Sequence, residues 1–177
     1  MAHITTGVEY GLHCLLYLVD PLDEASPASV RDLADLQGVS VEYVAKLFTK
    51  LQKARLVVAS EGAGGGFRLA RPAKSITVLD VVAAIDGEKA LFECRDIRGR
   101  CAVFGGKPAS WATRGVCSIH AIMLEADARM RKVLASRTLI DVAASVNSKA
   151  PEGFSQKLAN WFEERAPGLR ARNAGTV

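Results

Sequence analysis

Apolar positions set the first element. From about Ile4 to Val19, the residues Val8, Leu12, Leu15, Leu16 and Val19 recur at helical spacing, and Pro21 ends the run. After Pro27 a short helix is predicted, capped by Ser29 with Asp32 as its partner at the third helical position. Val30, Leu33 and Ala34 face inward there, and Gly38 closes it. Ser40 is placed to cap a third helix. Its buried face is Val44, Leu47, Phe48 and Leu51, with Glu42, Tyr43, Lys46, Thr49, Lys50 and Lys53 outward. Two helices joined through a glycine turn make a helix-turn-helix arrangement.

A β-branched run, Leu56 to Ser60, then precedes a glycine-rich tip from Glu61 to Gly66 and a second strand from Phe67 to Ala70. This reads as a hairpin wing. A phosphate-cradling loop would need dinucleotide or Walker spacing, and neither is present. Thr77 with Asp80 opens another helix, Val78 to Ile85, closed by Asp86 and Gly87. Between Glu88 and Val116 periodicity is lost, and Gly99, Gly105, Gly106, Pro108 and Gly115 oppose regular structure. From Cys117 or Ser118 to about Ala135, the positions Ile119, Ile122, Met123, Ala126, Met130 and Val133 form one apolar stripe. So long a stripe needs a partner. Thr138 with Asp141 caps a short helix through Val146, and Phe154, Leu158, Trp161 and Phe162 mark a last one before a frayed tail.

The expected fold is therefore mainly α with a small β wing. Residues 1–87 form a winged helix-turn-helix, 88–117 a cysteine-containing loop, 118–146 the long striped helix with a short follower, and 147–177 a terminal helix and flexible tail. The 177 residues and their 49% apolar content suffice for a packed core. No window approaches the roughly 18 apolar residues of a membrane span, and the amino end lacks a secretory pattern. A cytoplasmic setting is expected.

Formal charge is only +4, but it is uneven. Residues 40–74 hold Lys46, Lys50, Lys53, Arg55, Arg68, Arg71 and Lys74 against Glu42 and Glu61, the local excess a phosphate backbone would meet. On charge alone, a solvated helix face is the plain alternative.

In a reducing compartment the four cysteines read as thiols or metal ligands rather than a disulfide framework. Cys94, Cys101 and Cys117, spaced C-x6-C-x15-C, lie in one loop whose thiolates could converge on iron or zinc. Glu9 and His13 are one helical turn apart on the first helix, about 6 Å between Cβ atoms, close enough to serve one centre. Cys14 sits off that face and reads as core. Trp111 and Trp161 read as packing residues. No catalytic triad or HExxH motif is present, so no enzyme is expected.

The stretches Val39–Phe48 (VSVEYVAKLF), Leu56-Val57, Gly64–Leu69 (GGGFRL) and Ile76–Gly87 (ITVLDVVAAIDG) together resemble the Rrf-two family of IscR/NsrR-like winged-helix transcriptional regulators. The likeness runs from about Ala2 to Val146. It implies that Ser40 to Leu51 is a recognition helix entering the major groove of a double-stranded DNA operator, with the wing at the minor groove. Carried over by position, Ser40, Glu42, Tyr43 and Lys46 lie nearest base edges, Lys50 and Lys53 near phosphates, and Gly64, Gly65, Gly66 and Arg68 in the wing. Glu61 stands where many members have an arginine, which weakens minor-groove insertion. The long helix would cross its twin to form a homodimer.

Gly7–Cys14 (GVEYGLHC) is similar to the redox-sensing RsrR branch, which implies a 2Fe-2S cluster held by Cys94 and Cys117 of one protomer and Glu9 and His13 of the other. The competing set is Cys94, Cys101 and Cys117 with one further ligand such as His120, holding a 2Fe-2S or 4Fe-4S cluster or zinc. The function expected from the resemblance is a dimeric repressor sensing redox or iron–sulfur status. Alternatives are a cluster-free thiol-based regulator, a zinc-stabilised one, or an iron–sulfur carrier.

Overall fold

The computed structural model describes residues 4–19, 27–60, 65–95 and 97–165. Up to Gly87 the first compact unit holds four helices and a hairpin: α1 (Thr6–Leu16), α2 (Val30–Gln37), α3 (Val41–Lys53), β1 (Val57–Ser60), β2 (Gly66–Leu69) and α4 (Val78–Asp86). Local chemistry sets their ends. The Ser29 hydroxyl accepts from the Asp32 amide at the start of α2, and Gly38 leaves that helix in the left-handed region at φ 65°. Ser40 accepts from the Tyr43 amide to cap α3, and Thr77 with Asp80 forms a reciprocal capping box on α4.

The exit from α3 is less ordinary. Ala54 ends the helix, the Arg55 amide donates to the Gln52 carbonyl and the Leu56 amide to the Leu51 carbonyl. This paired pattern is a Schellman closure, which places the intervening residue in the left-handed region. That residue is Arg55, at φ 57°, the one non-glycine with positive φ among the described residues.

The core gathers Val8, Leu15, Leu33, Val44, Phe48, Leu51, Leu56, Val57, Ile76, Val81, Ile85 and Leu139. The four predicted inward residues of α3 are all buried. Antiparallel β1 and β2 pair Val57 with Leu69 and Ser60 with Gly66. Ala28 adds a one-residue rung on the other side of β2 by exchanging backbone hydrogen bonds with Phe67 at 3.1 and 2.8 Å. Helix α1 lies close on α4, where a Cβ at Gly11 would stand 2.3 Å from Ile85 Cδ1.

Residues 88–133 form one compact unit, and the chain from Leu134 onward belongs with the first. The entry of helix α7 (Leu139–Asn147) is tied to the start of α4: Val78 N donates to Arg137 O at 2.8 Å and Leu139 N to Ile76 O at 2.9 Å. Leu139 is fully buried there. Helix α8 (Phe154–Glu163) sets Phe162 against Tyr17, ring centroids 6.2 Å apart.

Within the second unit, the predicted irregular stretch contains two short 3-10 turns, Ile97–Arg100 and Ala102–Phe104, and the one-turn α5 (Ser110–Thr113). Its glycines punctuate these pieces, with Gly105 and Gly106 both at positive φ. Helix α6 (Ser118–Ala135) has no buried residue, and Ile119, Ile122 and Val133 are each more than 60% exposed.

Candidate nucleic-acid interface and cysteine loop

On α3 the exposed side chains are those of Glu42, Lys46, Thr49, Lys50, Gln52 and Lys53, with Ser40 exposed just before the helix. The Glu42 carboxyl is held below its usual range, first by a backbone amide, then by the Ser40 hydroxyl and Lys46, so it is an ionised acceptor at neutral pH. An ionised carboxylate at the exposed amino end of a helix can accept from an amine donor such as the exocyclic amine of cytosine. Tyr43 is half-buried rather than fully outward, because its ring meets Tyr10 of α1 edge-on at 5.5 Å.

Lys50 has a partner that its sequence position does not reveal. Its Nζ donates to the Ile85 carbonyl oxygen at 2.6 Å, satisfying an otherwise orphaned carbonyl at the end of α4. Arg68 is exposed on β2 opposite Val58, and Gly65 is exposed just before that strand. Gly66 is packed against Ala28; Glu61 and Gly64 lie outside the described residues.

On α1, Glu9 and His13 are both exposed, one turn apart on a single face. Cys14 beside them is fully buried, and burial pushes its thiol from 9.0 up to about 12, as expected of a core residue. The amino end of this helix is fixed to α4: Thr5 N and Thr5 Oγ1 donate to the Asp86 carboxylate at 2.8 and 2.6 Å.

In the second unit Cys94 and Cys101 are exposed and Cys117 is half-buried. Arg98 donates to the Gly115 carbonyl at 2.7 Å, closing the loop on itself. His120 packs against Phe92 at 5.9 Å. Trp111 corrects its expected packing role: it touches Phe104 edge-on but is 78% exposed, because the loop supplies no second layer to cover it. Trp161 does pack, against Phe162 and beneath the Arg165 guanidinium.

Among the described residues, no three histidine, cysteine, aspartate or glutamate side chains of one chain gather in a group able to hold a metal ion. The donor types nevertheless suit a soft or borderline metal. They are three thiols in one loop and a carboxylate–imidazole pair on one helix face, mostly exposed. No helix among the described residues is long and apolar enough to cross a membrane.

Residues 4–145 match the family described as Rrf2, iron-dependent transcriptional regulator. The chain belongs to the Rrf2 family. It is 34% identical over 139 residues to protein rrf2 of Nitratidesulfovibrio vulgaris, covering 78% of this chain and 85% of that one. It is 35% identical over 116 residues to the HTH-type transcriptional regulator IscR of Vibrio atlanticus, a match that spans 66% of this chain but 61% of IscR. Among solved structures, CymR (YrzC), the global cysteine regulator of B. subtilis, superposes with a TM-score of 0.63 at 23% identity, covering 82% of this chain and 98% of that one. T. potens IscR does so at 0.62 and 24%, covering 88% and 96%. At those identities the likeness is one of fold. The Rrf2 assignment makes this chain a DNA-binding transcriptional regulator, not an enzyme.

Sequence reasoning missed the Tyr10–Tyr43 contact, the Lys50–Ile85 bond and the conformation of Arg55. The last could have been suspected from the absence of glycine where a helix stops before a strand.

Proposed function

We propose that this Rrf2 regulator is a homodimeric repressor whose affinity for a pseudo-palindromic operator depends on a 2Fe-2S cluster held by Cys94 and Cys117 of one protomer with Glu9 and His13 of the other. One observation carries this reading: Glu9 and His13 share one exposed face of α1, while exposed Cys94 and half-buried Cys117 lie in the cysteine loop, two donors in each set where a 2Fe-2S cluster takes four. A second copy, brought in through the exposed apolar face of α6, supplies the missing half. The family description is iron-dependent, and the iron–sulfur reading comes from the resemblance of Gly7–Cys14 to the RsrR branch.

When bound, such a cluster supplies one-electron redox chemistry. The protein's part is to tie the ligand-bearing helix to the reading helix. Glu9 and His13 stand on α1, whose Tyr10 touches Tyr43 of α3 and whose Thr5 is bonded to Asp86 of α4. Gly11 seats α1 on Ile85, and the carbonyl of that residue holds Lys50 of α3. A small displacement of α1 is therefore felt by α3 through two contacts. A dimer reads two half-sites only when its recognition helices keep the right separation. Coupling of this kind is a difference in affinity between two states, biased by a local event.

Anaerobic purification with an absorption spectrum and iron and sulfide analysis tests the proposal. Iron and sulfide in equal amounts, lost in Cys94→Ala, Cys117→Ala and His13→Ala but kept in Cys101→Ala, support it. Loss in Cys101→Ala alone points to the all-loop ligand set. Colourless protein with stoichiometric zinc, or with no metal, points to the zinc-stabilised or thiol-based regulator. Iron without salt-dependent DNA binding points to a carrier.

A further inference from the structure

Arg55 stands where chain geometry favours glycine. The Schellman closure of α3 requires a left-handed residue, and an L side chain in that region is strained by its Cβ against the following carbonyl. Asparagine and aspartate relieve such strain through short polar side chains, whereas arginine does not. Strain of this kind persists where the residue is needed for something other than stability.

Among the described residues, no ion pair or side-chain hydrogen bond rewards this arginine. Its side chain is exposed, and it makes no ion pair with another described residue. It lies two residues after the last residue of the recognition helix and two before the first of β1, between the two elements that address DNA. Of the two lysines in the last turn of α3, Lys50 is drawn to the Ile85 carbonyl, while Lys53 stays exposed beside Arg55.

We infer that Arg55 is a DNA-backbone contact: its guanidinium neutralises a phosphate beside the recognition helix, and the strained backbone is the consequence of keeping a cation at that point. The inference rests on the DNA-binding function of the family and is independent of any cluster. Arginine suits the role because its planar fork meets phosphate oxygens with paired donors.

The experiment uses the full chain and a duplex enriched by it from a random-sequence library. Binding of wild type, Arg55→Gly, Arg55→Asn and Arg55→Lys is followed by fluorescence anisotropy across a series of salt concentrations, beside thermal melts. Arg55→Gly should melt at a higher temperature yet bind more weakly. Its plot of log Kd against log salt should be shallower by about 0.9 per protomer bound, with the weakening equal on the enriched duplex and on random duplex. Arg55→Asn, which also tolerates the left-handed region, should lose the same slope, and Arg55→Lys should keep it. An unchanged slope in Arg55→Gly overturns the inference, as does a loss confined to the enriched duplex. A wild-type chain that binds neither duplex in a salt-dependent way would instead refute the DNA-binding function itself.

Discussion

A Cβ placed on Gly66 would stand 2.6 Å from the carbonyl oxygen of Ala28, the residue that adds a one-residue rung to the wing. Backbone cannot yield as a side-chain end can, so glycine at this position is a packing requirement. Gly66→Ala should therefore destabilise the protein by about 2 kcal/mol or more. Urea unfolding followed by circular dichroism measures this, and a cost below about 0.5 kcal/mol would show that Ala28 moves aside without loss.

Lys50 donates its Nζ to the Ile85 carbonyl oxygen at 2.6 Å. Lys50→Met keeps the aliphatic stem and removes the donor. Its expected cost is about 1 kcal/mol of stability, with the salt dependence of DNA binding unchanged. Lys53→Met, on the exposed end of the same helix, should show the opposite pattern: unaltered stability and a shallower salt slope.

Alkaline stability should report Cys14. Its native thiol holds its proton up to about 12, whereas in the unfolded chain it ionises near 9.0. The folded value is raised, so the stabilisation is fully present below the unfolded value and is lost as pH climbs from there toward the native one. The slope reaches about 1.4 kcal/mol per pH unit. Tyr17 adds to the same trend, because burial and then the neighbouring Cys14 raise its phenol, with Gln37 opposing. Unfolding measured on either side of pH 9.0 should show a shallower decline in Cys14→Ala than in wild type. Equal declines would mean that Cys14 contributes nothing to the alkaline loss.

Ile122 is 64% exposed in the middle of α6. If this face joins two copies, Ile122→Glu buries a charge in the interface and should leave a monomer at concentrations where wild type sediments as a dimer. A wild-type monomer, or a variant that still dimerises, would place the interface elsewhere.

Much of the first unit was legible because its signals are local. Ser29, Ser40, Thr77 and Thr138 cap the helices that their neighbours predict, and the spacing of Val44, Leu47, Phe48 and Leu51 defines the buried face of α3. What stayed hidden joins residues distant in sequence. The Ala28–Phe67 rung is a single pair, the Thr77–Thr138 bridge draws α7 to the first unit, and Lys50 meets a carbonyl 35 residues away. The turns near Ile97 and Ala102 are too short to leave a period. At the candidate site, the exposure and common face of Glu9 and His13 followed from helical spacing. The gathering of thiols with that pair could not be read from one chain, because the proposed site needs two.

Complementation between two defective chains is the direct measurement. One variant carries Cys94→Ala and Cys117→Ala; the other carries Glu9→Ala and His13→Ala. Each alone should purify without iron or sulfide. Co-expressed with different tags and isolated as the mixed dimer, they should regain one 2Fe-2S cluster per dimer, because one site then draws intact cysteines from one chain and an intact carboxylate and imidazole from the other. A mixed dimer as empty as its parents, or a Glu9/His13 variant that already holds a full complement of cluster, would contradict ligation across the two protomers.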